Sequence, residues 1–433
     1  MEPKLWSKTF ILLIAFELFA QVGANLINPV VSNYAVWMGA SYAVAGFLAG
    51  INAFVSFAVR PFAGSVLRRF VRKKILVGAA IAFAVSGLLC ALVVAIPALG
   101  IQRVIFGAAF VFKSALLIAF AGSIVPKDKL GQGVGYIGLA NTIGAAIGPS
   151  MASYITNTMG YPFNCGVAVA FFAIAIIVIL NVKDPLEDTQ RDSIRELKEA
   201  NSRKTKLEVF KSEVNPKNMF HLKTIPLGIT FIFEAFCYGT VLMFVLLVSE
   251  ERGSTGGAFF FAIYVIACLI TRPAAAKLYD RFGLRKVFLP EGILMTATFV
   301  VLAYADSVPA FAAAAILFAL GQGGLYPSSQ SEGVRGRSTQ ESPIAVNTLY
   351  IGADIGMFIG PFISGIILEV SSSEVMMWAN AVVCVGYIIS LALYTRWRTK
   401  DDAREQAAAA AAADTAASAA EAAAAPTASG SNE

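Results

Sequence analysis

Twelve long apolar runs constrain the fold of this chain more than any other feature. At a rise of 1.5 Å per residue, a helix formed by such a run is long enough to cross the ~30 Å hydrocarbon core of a bilayer. The runs lie near residues 9–31, 43–67, 75–96, 99–124, 131–157, 163–181, 224–248, 257–279, 286–305, 309–331, 343–368 and 375–396. We therefore predict an all-α polytopic membrane protein with twelve transmembrane helices.

The composition excludes the common classes of soluble protein. Of 433 residues, 57% are hydrophobic and 14% are charged, whereas soluble domains carry about a quarter charged residues. This excludes an ordinary soluble enzyme, a disordered chain and a nucleic-acid-binding protein, despite a net charge of +6. The single histidine, His221, and five cysteines without zinc-type spacing predict neither a metal site nor a cofactor.

The first apolar run has some features of a signal peptide, since Lys4 and Lys8 precede it. It extends from about Thr9 to Val31, which is longer than the apolar part of a signal, and it lacks a small-residue cleavage site. We interpret it as the first retained span.

Basic residues alternate between the two sides of the predicted membrane. They are concentrated after spans two, four, six, eight, ten and twelve, whereas the other connections contain a single one, Arg252. Because cytoplasmic loops are enriched in Lys and Arg, this pattern predicts a cell-membrane protein with both termini in the cytoplasm.

One long hydrophilic segment divides the chain into six plus six spans. It holds ten Lys or Arg and eight Asp or Glu, with a helix-like stretch around residues 193–210. We predict an N-terminal six-helix bundle at 1–181, a charged cytoplasmic linker with an amphipathic helix at 182–223, a C-terminal six-helix bundle at 224–397 and a disordered Ala-rich tail at 398–433.

The two halves are repeats of each other. At an offset of 212 residues, Arg60-Pro61 corresponds to Arg272-Pro273, and Gly144-x-x-x-Gly148-Pro149 corresponds to Gly356-x-x-x-Gly360-Pro361. Two matches in one register predict two pseudo-symmetric bundles. Glycines at this spacing let another backbone approach, and proline bends the helix. Such features suit halves that rock against each other, or simple tight packing.

These residues resemble the major facilitator superfamily. The segment from Gly64 to Lys74 is similar to the family's signature between spans two and three, and the segment from Lys277 to Lys286 is similar to its second copy. Arg103 with Gly107 resembles the arginine motif of span four. The chain is most like the bacterial twelve-span drug:proton antiporters. The residues that the resemblance marks as conformational motifs are Gly64, Arg69, Gly144, Gly148, Pro149, Asp280, Arg281, Gly356, Gly360 and Pro361.

The chain departs from the family pattern in two places. Arg68 stands where the family usually has Asp, and Val71 where it usually has Gly. The resemblance therefore does not predict the family's charge lock in the first half, whereas Asp280 retains it in the second. The glycine-proline motif associated with antiporters also occurs in span eleven, so it separates export from uptake less well than usual.

Charged residues inside the apolar runs are the main functional candidates, because each costs about 2.5–3.5 kcal/mol at the bilayer centre. They are Glu17, Arg103, Lys113, Glu234 and Asp354. Four of them, all except Arg103, lie roughly 12–16 Å from a span end, which predicts a shared aqueous cavity. Glu291 and Arg272 are near enough to span ends to snorkel.

In the resembled family, spans one, four, seven and ten line the central cavity. The resemblance thus implies that Glu17 and Lys113 interact and that Glu234 faces them, as proton-coupling or substrate-binding groups. The alternative is that these charges form static ion pairs with a structural role only. For Asp354, which lies in peripheral span eleven, this structural interpretation is favoured. Arg103 is either a structural hydrogen-bonder or a proton relay.

Further candidates for the cavity wall, with less support than the charged residues, are polar or aromatic residues within the predicted spans. They are Gln21, Asn25, Asn28, Asn141, Tyr238, Gln322 and Tyr326, with Phe106, Phe110, Phe231 and Phe236 as a possible apolar lining.

We predict a secondary transporter that works by alternating access and exports a small amphipathic or cationic compound in exchange for protons. The chain has no Gly-x-x-x-x-Gly-Lys loop, so an ion gradient is the expected energy source. Its partners would be the small-molecule substrate, protons and lipid, and the resemblance implies function as a monomer. Proton-coupled uptake of an organic anion or nutrient, with Lys113 contacting the anion, is the alternative. A membrane sensor that transports nothing is a third and less favoured function.

Overall fold

The computed structural model describes residues 6–126, 130–184, 187–201, 221–282, 284–324, 329, 332–333 and 342–424. The helices of the first half are α1 (Lys8–Ile27), α2 (Val31–Trp37), α3 (Tyr42–Arg69), α4 (Arg72–Leu92), α5 (Ile96–Ile124), α6 (Leu130–Met159) and α7 (Tyr161–Leu180). The linker contributes α8 (Glu187–Asn201), and the second half contributes α9 (Ile225–Glu251), α10 (Gly256–Phe282), α11 (Leu284–Tyr304), α12 (Val308–Gln322), α13 (Ser342–Val370) and α14 (Ser373–Ala424).

Ten helical segments in the described part of the chain are long and apolar enough to cross a membrane. Helices α1 and α2 form one of these segments, interrupted by a short 3-10 turn at Asn28–Val30. Two of the twelve predicted spans lie outside this set: α12 is a shorter apolar helix, and α6 is 30 residues long but carries polar residues such as Asn141 and Thr142.

Within each half, the helices pack as a bundle. In the first, α1 packs against α6 and α7, and α4 packs against α5 and α7. In the second, α9 packs against α13 and α14, and α11 packs against α12 and α14. The start of α1 lies beside the end of α7, where Thr9 contacts the carbonyl of Lys183, and the start of α9 lies beside α14, where Lys223 pairs with Asp401. We call this side of the bundles, which carries the linker, the linker face and the opposite side the far face.

The repeated glycines permit the same close crossing in each bundle. Gly144 and Gly148 of α6 lie against α1, where an added Cβ would be 2.8 Å from Cβ of Gln21 and would overlap Asn25. Gly356 and Gly360 of α13 lie against backbone carbonyls of α9. The prolines that follow, Pro149 and Pro361, are inside continuous helices.

The two bundles meet along two helix pairs, α3 with α13 and α6 with α10. The repeat offset converts one pair into the other, so the interface has the pseudo-symmetry of the sequence. At the α3–α13 crossing, a Cβ at Gly46 would overlap the carbonyl of Pro361, and a Cβ at Gly365 would overlap that of Tyr42. Side chains larger than hydrogen would therefore separate the bundles here.

The loop between α3 and α4 is held by the linker. Nη2 of Arg72 donates to Oδ1 of Asp184 at 3.2 Å, and Nε2 of Gln190 donates to Oδ2 of Asp184 at 2.9 Å. This anchor is present in the half where Arg68 replaces the family's usual aspartate.

The chain end differs from the sequence prediction. Helix α14 continues to Ala424, whereas we predicted disorder from residue 398. Alanine has the highest intrinsic helix propensity, which favours extension of a helix already held by packing. Helix α8 begins at Glu187, earlier than the predicted 193–210 stretch, of which residues 202–210 lie outside the described part. The four segment boundaries remain a prediction.

Candidate functional site

In the described part of the chain the buried charges lie in several separate contacts, whereas their similar depth predicted a shared cavity. The structure distributes them over separate contacts, because the helices that carry them pack against different neighbours.

Glu17 and Lys113 form a buried ion pair between α1 and α5, the contact predicted from the sequence. Nζ of Lys113 donates to Oε1 and Oε2 of Glu17 at 3.0 and 2.9 Å, and to Oε1 of Gln21 at 3.2 Å. Asn141 of α6 donates to Oε1 of Glu17 at 3.1 Å. The two charged side chains are only 2–3% exposed. All three ammonium protons have acceptors, so this network holds both charges in place.

Glu234 of α9 has a different environment. It is 3% exposed, and Oε1 accepts a hydrogen bond of 3.3 Å from Nε2 of Gln322. The hydroxyl of Tyr264 in turn donates to Oε1 of Gln322 at 2.5 Å. No lysine or arginine in the described part of the chain forms an ion pair with Glu234. Among the described residues, the hydrogen bond to its carboxylate comes from the neutral amide of Gln322.

A small cavity lies between the two bundles, next to this hydrogen-bond chain. It is lined by Asn25, Ala145, Tyr238, Val241, Leu242, Phe261, Tyr264 and Phe318. The ring of Phe318 stacks on that of Tyr238 at 6.0 Å and lies 5.1 Å from that of Tyr264. The Tyr264 hydroxyl connects the cavity wall to Glu234 through Gln322. The cavity has a volume of about 20 Å³, room for about one water molecule, so an organic cation fits only after the bundles move apart. Its four aromatic rings would then face the cation, with the carboxylate of Glu234 behind them.

Asp354 lies in the bundle interface instead of a shared cavity. Nε and Nη2 of Arg60 donate to its two carboxylate oxygens at 2.7 and 3.0 Å, and the guanidinium also lies 4.9 Å from the ring centroid of Tyr350. The close α3–α13 crossing brings these two helices near enough for a bidentate pair. Arg272, predicted to snorkel, donates to Oγ1 of Thr142 at 3.4 Å across the α6–α10 contact.

Arg103 has structural contacts. Nη1 donates to Oδ1 of Asn28 at 2.6 Å, and Nη2 donates to the carbonyl of Ala49 at 3.2 Å. The side chain is fully buried. It therefore ties α5 to the 3-10 turn in the first span and to α3.

Two carboxylates of the second bundle hold the first bundle at the far face. Oε2 of Glu250 accepts a hydrogen bond of 2.6 Å from Nδ2 of Asn33. Oε2 of Glu369 accepts one of 2.6 Å from the backbone N–H of Tyr42. The sequence analysis missed both, because glutamates at span ends are ordinary in membrane proteins.

The predicted lining residues divide into two groups. Asn25 and Tyr238 line the cavity, whereas Gln21, Asn28, Asn141 and Gln322 bind the buried charges. Tyr326 lies outside the described residues, and so do the side-chain surroundings of Gly64 and Asp280. Arg69 ends α3, and the Arg281 guanidinium lies 5.1 Å from the ring of Phe282. Of the phenylalanines, Phe261 and Phe318 line this cavity, and not the four named from the sequence. No pattern in the sequence distinguishes them from the many other phenylalanines.

Comparisons with known proteins agree with this architecture. A model of the Major Facilitator Superfamily matches residues 13–262 and 227–428. Multidrug resistance protein 2 of Bacillus subtilis (strain 168) is 24% identical over 90% of this chain and 95% of its own length. Multidrug resistance protein MdtG of Dickeya zeae (strain Ech586) is 24% identical over 80% and 84%. A mutant of the nucleoside transporter NupG superposes with a TM-score of 0.72 at 14% identity, covering 90% of this chain and all of that one.

Proposed function

Because the chain belongs to the Major Facilitator Superfamily, we propose that this transporter exports lipophilic or amphipathic cations from the cell in exchange for protons. The family is one of membrane transporters and not of enzymes. The observation that carries the proposal is the cavity between the bundles, whose aromatic wall is linked to Glu234 through Tyr264 and Gln322.

The residues that line the cavity favour a planar or hydrophobic cation over other small molecules. Aromatic faces attract cations by about 0.5–2 kcal/mol each, and apolar walls favour hydrophobic substituents. Glu234 supplies the negative charge that a cation needs in a site of low polarity. The printed names of two relatives, both multidrug resistance proteins, are consistent with such a substrate.

Exchange follows if cation and proton compete for Glu234. With Glu234 ionised, the cation binds; with Glu234 protonated, the negative charge is lost and the cation leaves. The two bundles then rock about the α3–α13 and α6–α10 contacts, which exposes the cavity to one membrane face at a time. Opening toward the far face requires the Asn33–Glu250 and Tyr42–Glu369 hydrogen bonds to break.

The orientation of the protein in the membrane rests on the charge pattern of the loops. The linker face carries the basic connections, so we assign it to the cytoplasm and place both termini there. In a cell whose exterior is more acidic, protons then enter as cations leave.

Anion uptake has less support from the geometry. Lys113, the group that would contact an anion, is neutralised by Glu17 and does not line the cavity. A substrate anion would have to displace a buried carboxylate that is already bonded to the ammonium.

Proteoliposomes with an imposed pH gradient test the proposal. Purified protein should drive uptake or release of a fluorescent lipophilic cation such as ethidium, and collapse of the gradient should stop it. The Glu234→Gln variant should lose the pH-driven flux, whereas the exposed far-face Glu374→Gln variant should retain it. Cation flux that continues at full rate without any ion gradient would contradict the proposal.

A further inference from the structure

We propose that Glu291 is a second proton-carrying residue, which receives the proton from Glu234 and passes it toward the linker face. The inference rests on the proposed function, because it adds a step to proton release from the same site. It concerns a residue that the sequence analysis interpreted as a snorkelling side chain.

Glu291 is buried, and so it does not snorkel. It lies on α11, seven residues after the helix begins, or about 10 Å along the axis, and it is 5% exposed. In the described part of the chain, its Oε2 atom has no hydrogen-bond partner. Burying an ionisable group in a membrane protein without a partner costs free energy that packing does not recover. Such a residue therefore indicates a function.

The end of α12 connects the two carboxylates. Gln322 binds Glu234, and two residues later Gly324 lies so close to Oε1 of Glu291 that an added Cβ would overlap it. Gly323, between them, lies against the hydroxyl of Thr271, which donates to the carbonyl of Ala319 at 3.1 Å. This stretch at the end of α12 therefore contacts both Glu234 and Glu291 and has the hydroxyl of Thr271 beside it.

Tyr387 of α14 borders the same stretch from another side. Its ring lies 3.4 Å from a Cβ built at Gly292, next to Glu291 in sequence. It is within electrostatic range of both Glu234 and Glu291. The titratable groups near this region include Glu234 and Cys237 on α9, Tyr264 and Cys268 on α10, and Tyr387 and Cys384 on α14. Lys286 lies near the start of α11.

The geometry gives the transfer a direction. Glu234 lies nine residues from the linker-face end of α9, about 14 Å, compared with about 10 Å for Glu291. In the step, the O–H bond of the Glu234 carboxylic acid breaks and a new O–H bond forms on the carboxylate of Glu291, directly or through water. Glu234 regains its negative charge for the next cation, and Glu291 then releases the proton to water at the linker face. No net charge is created.

The test separates net proton transfer from cation exchange. In proteoliposomes, export driven by a pH gradient requires proton release, whereas counterflow of labelled against unlabelled ethidium does not. For Glu291→Gln we expect pH-driven export to fall at least about tenfold, as for loss of a proton-transfer group, with counterflow within about twofold of wild type. Glu291→Asp should keep both activities, with the pH profile of export shifted.

Glu332→Gln is the matched control, since Glu332 is also a buried carboxylate of the second bundle but is bonded to Tyr279, Tyr394 and Arg398. It should not separate the two activities. Full pH-driven export by Glu291→Gln would overturn the inference, and so would equal loss of both activities in a folded protein. If Glu291→Gln does not fold, an unshifted Glu291→Asp profile overturns it. Failure of wild-type protein to couple export to pH would instead contradict the proposed function.

Discussion

Arg60 binds Asp354 through two hydrogen bonds of 2.7 and 3.0 Å, whereas the residues 212 positions away in the repeat, Arg272 and Thr142, share one contact of 3.4 Å. The two arginines are equivalent in sequence, and so are Asp354 and Thr142. One bundle contact is therefore a bidentate ion pair and its counterpart is a weak neutral hydrogen bond. This asymmetry makes the two sides of the interface separately testable.

A second ion pair can be introduced by Thr142→Asp, which reproduces the Asp354 arrangement in the other half. We expect this variant to be more resistant to heat and slower in transport, since a charge-assisted bond must then break on both sides during rocking. Thermal unfolding of purified protein and initial transport rates measure the two effects. A variant with unchanged rate would show that the α6–α10 contact does not limit the motion.

The reverse change, Asp354→Thr, makes both contacts neutral. It leaves the guanidinium of Arg60 partly buried without its counterion, so we expect lower thermal stability. Adding Arg60→Met to this variant should recover part of the loss. No difference in unfolding temperature between the single and double variants would argue against a coupled pair.

The Glu17–Lys113 pair is predicted to stabilise the bundle rather than couple transport. Lys113→Met should destabilise the protein by about 3–5 kcal/mol, because it leaves Glu17 buried and unpaired. The double variant Glu17→Leu with Lys113→Met should regain much of that loss and retain pH-driven export. Loss of proton coupling in a stable double variant would move the pair into the transport mechanism.

The glycine crossing between bundles is predicted to tolerate no side chain. Gly46→Ala places a methyl group on the carbonyl of Pro361, which should lower the unfolding temperature and reduce transport. Gly78→Ala is the control, since a Cβ there meets nothing within 4 Å. Equal unfolding temperatures and transport rates for the two variants would show that the helix crossing accommodates a methyl group without loss of stability or activity.

The cavity wall is predicted to select cations through its rings. Phe318→Ala removes the ring that contacts both Tyr238 and Tyr264, and should weaken binding of aromatic cations by about 1–2 kcal/mol. Phe318→Leu keeps most of the side-chain volume without the ring, so a loss of affinity in this variant would be due to the missing aromatic face. Calorimetric titration gives the affinities; equal binding by wild type and both variants would exclude this cavity as the binding site.

The sequence was sufficient to predict the helical membrane fold, because long apolar runs and their 212-residue repeat leave few other arrangements. The family resemblance added the Glu17–Lys113 contact, because it implies that spans one and four meet at the centre of the molecule. The partner of Asp354 was not predicted, because Arg60 lies on a helix of the other bundle and only the glycine crossing at Gly46 brings the two together. The sequence indicated Asn25 and Tyr238 of the cavity wall but not Phe261, Tyr264 or Phe318, because the wall depends on how α9, α10 and α12 are rotated.

The central claim is that a cation and a proton compete for Glu234, and proton release upon binding tests it most directly. Purified protein in weakly buffered detergent solution, mixed with tetraphenylphosphonium and a pH-indicator dye, should release about one proton per bound cation. The Glu234→Gln variant should release none. Binding of the cation without proton release, or equal release by the variant, would contradict the account.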